Sequence, residues 1–388
     1  MSDTGSQGQG FEASLSEASE TVAEFEEERT MVRRLQHLLH ANPSLVPFVV
    51  LVISIVTVGL YIDWEAIQVA MGWARLEEVS VGRFRFFSGR TMALILDQVQ
   101  IVGILALAQS LIVLTAGIDL SVGAIAVFSS VVMGQFTFRY GIPPTFAVML
   151  GLAVGTSIGA LSGWLVSRIK LPPFIVTLGM WQIVLAGNYL YSRNETIRPN
   201  DIAEQAALLH LMGWDFQIRE ILGYEAIRGG ANIPLGVVLM LILAGGLAYA
   251  LRSTPWGRHV YAVGDDPEAA ELAGVNTRKT LMSVYILAGL ICAVAGWVMI
   301  GRLGSVSPSA STGQIGNIQA ITAVVIGGIS LFGGRGSILG ALFGALIVNV
   351  FQLGLPMAGF DSQWTFLLIG ILIIGAVTVD QEIRKVSV

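Results

Sequence analysis

Ten stretches of this chain are apolar enough, and nearly all of them long enough, to have only one stable home. They are Ser44–Ile62, Met92–Ala116, Leu120–Phe138, Phe146–Val166, Pro173–Tyr191, Pro234–Leu251, Leu281–Ile300, Ile318–Leu331, Ile338–Leu355 and Trp364–Val379. A helix rises 1.5 Å per residue, so about 20 such residues cross a bilayer core and bond every backbone group internally. Only 13% of the residues are charged and 54% are apolar, with a mean hydropathy of +0.72. Soluble domains carry roughly 25% charged residues, so there is too little polar surface here for water. The expected fold is an all-α, polytopic bundle of about ten transmembrane helices. The second stretch is interrupted by Asp97, Gln98, Gln100 and Gln109, and the eighth is short. No cleavable leader is expected ahead of Ser44.

Residues 1–42 read differently. Met1 to Glu28 is rich in Ser, Gly and Glu, which predicts a disordered acidic tail. From Arg29 to Ala41, Val32, Leu35, Leu38 and Leu39 recur at helical spacing opposite Arg33, Arg34 and Gln36, as in a helix lying on a membrane surface or simply exposed. Residues 43–388 form the membrane domain. An even number of spans puts both termini on one side. Placing them in the cytoplasm leaves about 12 basic residues inside and about 10 outside. The internal loops are much shorter, so their basic density is higher, and Lys170, Lys279 and Lys385 all fall inside. The external loops are then 63–90 and 192–232. The second carries Trp214, Phe216 and Tyr224 among charges, suited either to a soluble partner or to capping helix ends. The internal loop 252–280 stands apart.

Several engines are missing. A phosphate-binding loop needs Gly-Lys-Ser/Thr, but the lysines follow Ile169, Arg278 and Arg384, so ATP cannot be held that way. Four histidines offer no metal-ligand spacing beyond His37/His40, and Cys292 is alone. Gly155-Thr-Ser157-Ile-Gly159 matches a hydrolase nucleophile elbow in letters only, because it lies inside a span rather than at a strand-to-helix turn. Gly151, Gly155, Gly159 and Gly163 instead bare one helix face for close packing. Asp97 is the clear acidic residue within a span, with Asp119 at a helix start. An ion-coupled carrier needs more buried charge than that. No catalytic residue, metal or nucleic-acid partner is expected.

The loop 252–280 has its own punctuation. In Gly264-Asp-Asp266-Pro267-Glu268-Ala269-Ala270-Glu-Leu272-Ala273-Gly274, Asp266 suits an N-cap, Pro267 the first helical position and Gly274 the site just past the end. Two turns are predicted, with Ala269, Leu272 and Ala273 on one face and Glu268 and Glu271 leaving the other side. So short a helix is marginal alone, and serves either as a connector or as a knuckle in another protein's groove.

Glu268-Ala-Ala with Gly274 resembles the loop by which permeases of ATP-binding-cassette (ABC) importers dock on their ATPases. Gly257-Arg-His-Val-Tyr-Ala-Val-Gly264, Leu114-Thr-Ala-Gly-Ile-Asp-Leu-Ser-Val-Gly123 and Val325-Ile-Gly-Gly-Ile-Ser-Leu-Phe-Gly-Gly-Arg-Gly-Ser337 are similar to the monosaccharide permeases of the ribose/xylose/fructose type. Leu171-Pro-Pro-Phe-Ile-Val-Thr-Leu-Gly-Met-Trp-Gln182 resembles the fructose branch. The likeness runs from about Ala41 to the end and departs at the acidic tail and at 63–90. It implies a multi-pass protein of the bacterial inner membrane, not itself an enzyme but a permease subunit, working with a periplasmic sugar-binding protein and a cytoplasmic ATPase that binds ATP and Mg. It also implies a permease homodimer in lipid, and a coupling helix at Glu268–Gly274. The alternative is an ion-coupled sugar carrier acting alone; a third is a membrane scaffold.

Gly117-Ile-Asp119-Leu and Gly328-Ile-Ser330-Leu share four letters, which indicates either an internal repeat or common helix-end chemistry. Gly117, Asp119, Ser121, Gly328, Ser330, Gly333, Gly334 and Arg335 are candidates for gate or pathway turns, with Arg335 facing the ATPase or lipid phosphates. Broken backbone in a membrane must be buried in protein or line a wet cavity. Gln98, Gln109, Trp164, Asn188, Gln319, Asn317 and Asn349 are candidate path groups, helix–helix hydrogen bonding being the competing role.

Overall fold

The computed structural model describes residues 44–73, 84–198, 202, 206–217 and 232–386. The tail and surface helix expected over 1–42 lie outside them, as does Tyr224. Each of the ten apolar stretches overlaps a helix. The helices are α1 (Leu45–Ile62), α3 (Gly89–Leu114), α4 (Val122–Phe138), α5 (Pro144–Ser167), α6 (Pro173–Ser192), α7 (Leu235–Ser253), α10 (Thr277–Leu303), α11 (Ala310–Ile326), α12 (Ile338–Met357) and α13 (Ser362–Val386). Short helices intervene: α2 (Trp64–Ala70), α8 (Pro255–Asp265) and α9 (Pro267–Leu272). Among the described residues seven helices are long and apolar enough to cross a membrane, with Val122–Phe138 and Ser362–Thr378 as shorter apolar helices.

The helix limits follow from local chemistry. Ser88, Asn276, Ser309 and Ser337 accept hydrogen bonds from the free amides of α3, α10, α11 and α12. Pro144, Pro173 and Pro255 sit in the first turn of α5, α6 and α8, where a missing N–H costs nothing. The polar residues of α3 do not break it. The eighth stretch is displaced, however. Its helix starts at Ala310, because Ser309 caps it, and stops at Ile326, leaving Gly327–Leu331 in a turn. Hydropathy misplaced it because Ser311, Thr312, Gln314 and Asn317 belong to the helix.

The centre of the bundle is α10, 72% of whose most apolar window is buried, against 28% for α1 and α6. It packs on α5, α4 and α3. Gly155 and Gly159 of α5 meet Gly289 of α10 so closely that a Cβ on Gly159 would lie 2.9 Å from Gly289 Cα and overlap Tyr285 O. Ser157 points outward and donates to Ala153 O at 2.7 Å, so the elbow reading is excluded by structure as well. Phe48, Ile53, Phe146, Ile183, Phe366 and Ile374 face outward. Such an apolar band suits hydrocarbon rather than water.

The segments expected as external loops are partly built into the bundle. The buried Asp63 carboxylate accepts from the backbone of Arg85, Phe86 and Phe87 at 2.7, 3.1 and 2.8 Å. Within 192–232, Ile202, Leu209 and Met212 are buried, while Trp214 stays exposed beside the two-stranded ribbon β1 (Asp215–Gln217) and β2 (Asn232–Pro234). The inner side of this segment therefore covers helix ends, and its outer side carries an aromatic ring.

Candidate coupling and transport site

The candidate residues gather at the end of the bundle where α3 stops and α12 starts. Helix α3 ends in a double cap: Ala116 N donates to Val113 O at 2.9 Å and Gly117 N to Ile112 O at 3.0 Å. Ala116 takes the left-handed conformation there, at φ 58°. The chain then turns back into the bundle. Asp119 accepts from both the N–H and the hydroxyl of Ser121 at 2.6 Å, and both residues are buried. Gln109, its amide oriented to satisfy both groups, donates to Asp119 O at 3.0 Å and accepts from Asp119 N at 3.2 Å. Gln109 lies about 7.5 Å up α3 from Leu114 at 1.5 Å per residue, so Asp119 sits inside the bundle. From the other side Asn317 of α11 accepts from Gly123 N at 2.6 Å and donates to Leu120 O. Helix α4 therefore begins deep in the protein, and two amides bond the irregular backbone that precedes it.

The second turn uses the same cap. Gly328 N donates to Val325 O at 3.0 Å and Ile329 N to Val324 O at 3.1 Å, with Gly328 left-handed at φ 73°. The left-handed residue precedes Gly117 in the first turn but is Gly328 itself in the second. The shared letters are thus one residue out of step with the shared backbone, though common helix-end chemistry is evident in both. Ser330 then organises the loop: its N–H donates to Arg335 O at 3.1 Å, and its C=O accepts from Gly333 N at 3.0 Å. Arg335 is exposed.

These two turns touch each other and the mount of α9. Gly334 N donates to Leu114 O at 3.0 Å. A Cβ on Gly264 would overlap that same carbonyl, one on Gly333 would lie 2.8 Å from Ala116 N, and one on Gly334 would lie 2.8 Å from Asp265 Cα. Gly333 and Gly334 are also left-handed, at φ 81° and 71°. Glycine alone meets both demands. Helix α8, which lies inside the expected loop 252–280 and starts at the Thr254-Pro255 signal, carries this contact. It is fastened by Trp256 Nε1 to Ser283 Oγ at 2.8 Å and by Tyr261 OH to Gly336 O at 3.0 Å. Burial pushes the Tyr261 phenol up from its ordinary value.

Helix α9 stands off this platform. Asp266 Oδ1 accepts from Glu268 N and Ala269 N at 2.9 and 3.0 Å. Gly274, at φ 85°, closes the other end, with Gly274 N donating to Glu271 O and Val275 N to Ala270 O, both at 3.0 Å. Ala270 is buried, whereas Pro267, Glu268, Ala269, Glu271, Ala273 and Leu272 face outward. Leu272 is an apolar side chain left 91% exposed among the described residues.

The remaining candidates disperse. Asn349 donates to Ala345 O of its own helix at 2.8 Å, and Asn188 is buried between α4, α6 and the start of α11 beside Ser309 and Trp181. Trp164 is 47% exposed on the outer face of α5, and Gln98 and Gln319 are not drawn to the two turns. Asp97 pairs with Arg302 at 2.9 Å and also accepts from Gln100. Among the described residues no cluster suited to a metal occurs.

Residues 91–377 match the family described as the permease component of branched-chain amino acid transport systems. The chain is 57% identical over 380 residues to the fructose import permease FrcC of Rhizobium meliloti, covering 98% of this chain and 97% of that one. It is 34% identical to the ribose import permease RbsC of Escherichia coli K12, over 76% of this chain and 87% of the relative. It is 32% identical to the xylose transport system permease XylH of the same strain, over 78% and 87%. No solved structure matches the chain. The family description names amino acids, whereas these relatives name sugars. A helical bundle with several membrane-crossing helices, a match across most of its length and three sugar permeases among its relatives together make this chain a member of that permease family.

Proposed function

We propose that the chain is the membrane subunit of an ABC importer that passes a monosaccharide, fructose, from a periplasmic binding protein to the cytoplasm of a bacterium. Its termini and α9 lie on the cytoplasmic side of the inner membrane, and two permease copies present two α9 helices to two ATPase subunits. Those subunits bind ATP and Mg; this chain turns over no chemical bond. The observation that carries the reading is α9, a capped, acidic, solvent-exposed helix whose mount touches the backbone of both buried turns. A force applied to such a helix has a short route to the irregular segment ahead of α4. The 57% identity to a fructose permease supports the cargo. The Asp97–Arg302 pair leaves little free intramembrane charge for ion coupling.

The test is reconstitution in proteoliposomes with the neighbouring ATPase and binding protein. Fructose-loaded binding protein is expected to stimulate ATP turnover and uptake, with ribose and xylose weaker. Uptake by the permease alone under an ion gradient would overturn the importer reading. Stimulation by another sugar but not by fructose would overturn the cargo.

A further inference from the structure

One contact at this end of the bundle is neither a cap nor a close approach of backbones. Ser330 Oγ donates to Asp380 Oδ2 of α13 at 2.8 Å, and Ser330 is buried. Ser330 is also the hub of its loop, since its N–H, its C=O and its hydroxyl hold Arg335, Gly333 and Phe332. The same loop presses Gly333 and Gly334 onto Gly264, Asp265 and Ala116. Gly333 meets the backbone of Gly264 and Ala116, and Gly334 N is bonded to Leu114 O, so a shift of the loop is passed to the mount of α9. Helix α13 packs on α11 and α12, on either side of that loop. Its bond to Ser330 is charge-assisted and ties α13 to the loop.

We infer that the Ser330–Asp380 bond is a latch through which α13 moves with the 330–336 loop and α9, making Asp380 a positioning residue for the coupling of transport to ATP hydrolysis. This rests on the importer reading above. The latch acts on stoichiometry, the sugar moved per ATP, and not on hydrolysis itself, which belongs to the partner.

The experiment uses the full complex with ATPase and binding protein in proteoliposomes, measuring sugar uptake and ATP turnover together. Asp380→Ala is expected to keep ATP turnover within about two-fold while uptake per ATP falls about ten-fold, the scale of one lost charge-assisted bond. Asp380→Asn keeps an acceptor oxygen and recovers part of the ratio. Ser330→Ala, which also removes the bond from Phe332 N, falls at least as far as Asp380→Ala, and the double variant is no worse than Ser330→Ala, because the Ser330–Asp380 bond is already lost in it. Unchanged ratios, additive losses, or a parallel fall of turnover and uptake with no recovery in Asp380→Asn would overturn the latch alone. A wild-type complex without sugar-stimulated turnover overturns the importer reading and the latch with it.

Discussion

At Gly159 and Gly289 helices α5 and α10 approach until backbone meets backbone, so the space for a side chain is nil rather than small. Gly159→Leu is expected to separate α5 from α10 and to cost more than the roughly 1–3 kcal/mol usual for overpacking, because main chain cannot repack. Loss of the monodisperse peak in detergent would register it, whereas the outward Ser157→Ala should elute like wild type. Tyr261 makes a gentler case. Its hydroxyl bonds to Gly336 O, and Tyr261→Phe is expected to lower stability by about 1 kcal/mol. Since burial raises the phenol's folded pKa above the ordinary 10.0, its contribution is complete below that value and is lost as pH rises through the folded one. The difference between Tyr261→Phe and wild type in a thermal melt should therefore be flat from pH 6 to 9 and shrink above about 10. The glycine ladder was legible in sequence because its spacing alone announces a bare face. Tyr261 and Asp380 were not, because their partners lie far along the chain and nothing in their own neighbourhood names them.

Helix α9 carries its whole specification within nine residues, cap to cap, which is why its limits were readable to the residue. Helix α11 is the opposite case. Its polar first half pairs with α4 at Gly123 and Leu120, so only the assembled bundle explains why it is a helix at all. Glu268→Arg combined with Leu272→Asp alters two side chains that touch little in this chain, and so should leave membrane insertion and melting temperature as in wild type. Uptake in cells is expected to fall at least about ten-fold, the effect of losing roughly 1.4 kcal/mol or more of docking free energy. Normal uptake in that variant would detach α9 from any docking role. Gln109 and Asn317, by contrast, are tied to the backbone at Asp119–Gly123, which gives them a structural task that composition could only place alongside a pathway one.

For the whole molecule, an apolar exterior around a buried α10 and one end crowded with irregular backbone divide the labour between insulation and movement. The apolar exterior was evident from hydropathy; the crowding was not, since it depends on helix α8 and the 330–336 loop, two distant parts of the chain, both arriving at Leu114 O. The exposed Leu272 has a further consequence. Until something covers it, every newly made copy displays a greasy stud flanked by acids, the kind of surface that cellular proteolysis finds first. Production in excess of its companions should then be self-correcting: a pulse-chase is expected to show a shortened half-life when the ATPase gene is deleted, and Leu272→Ser should lengthen it. On the importer reading, the side chain that docks would then also register how many docking surfaces are present.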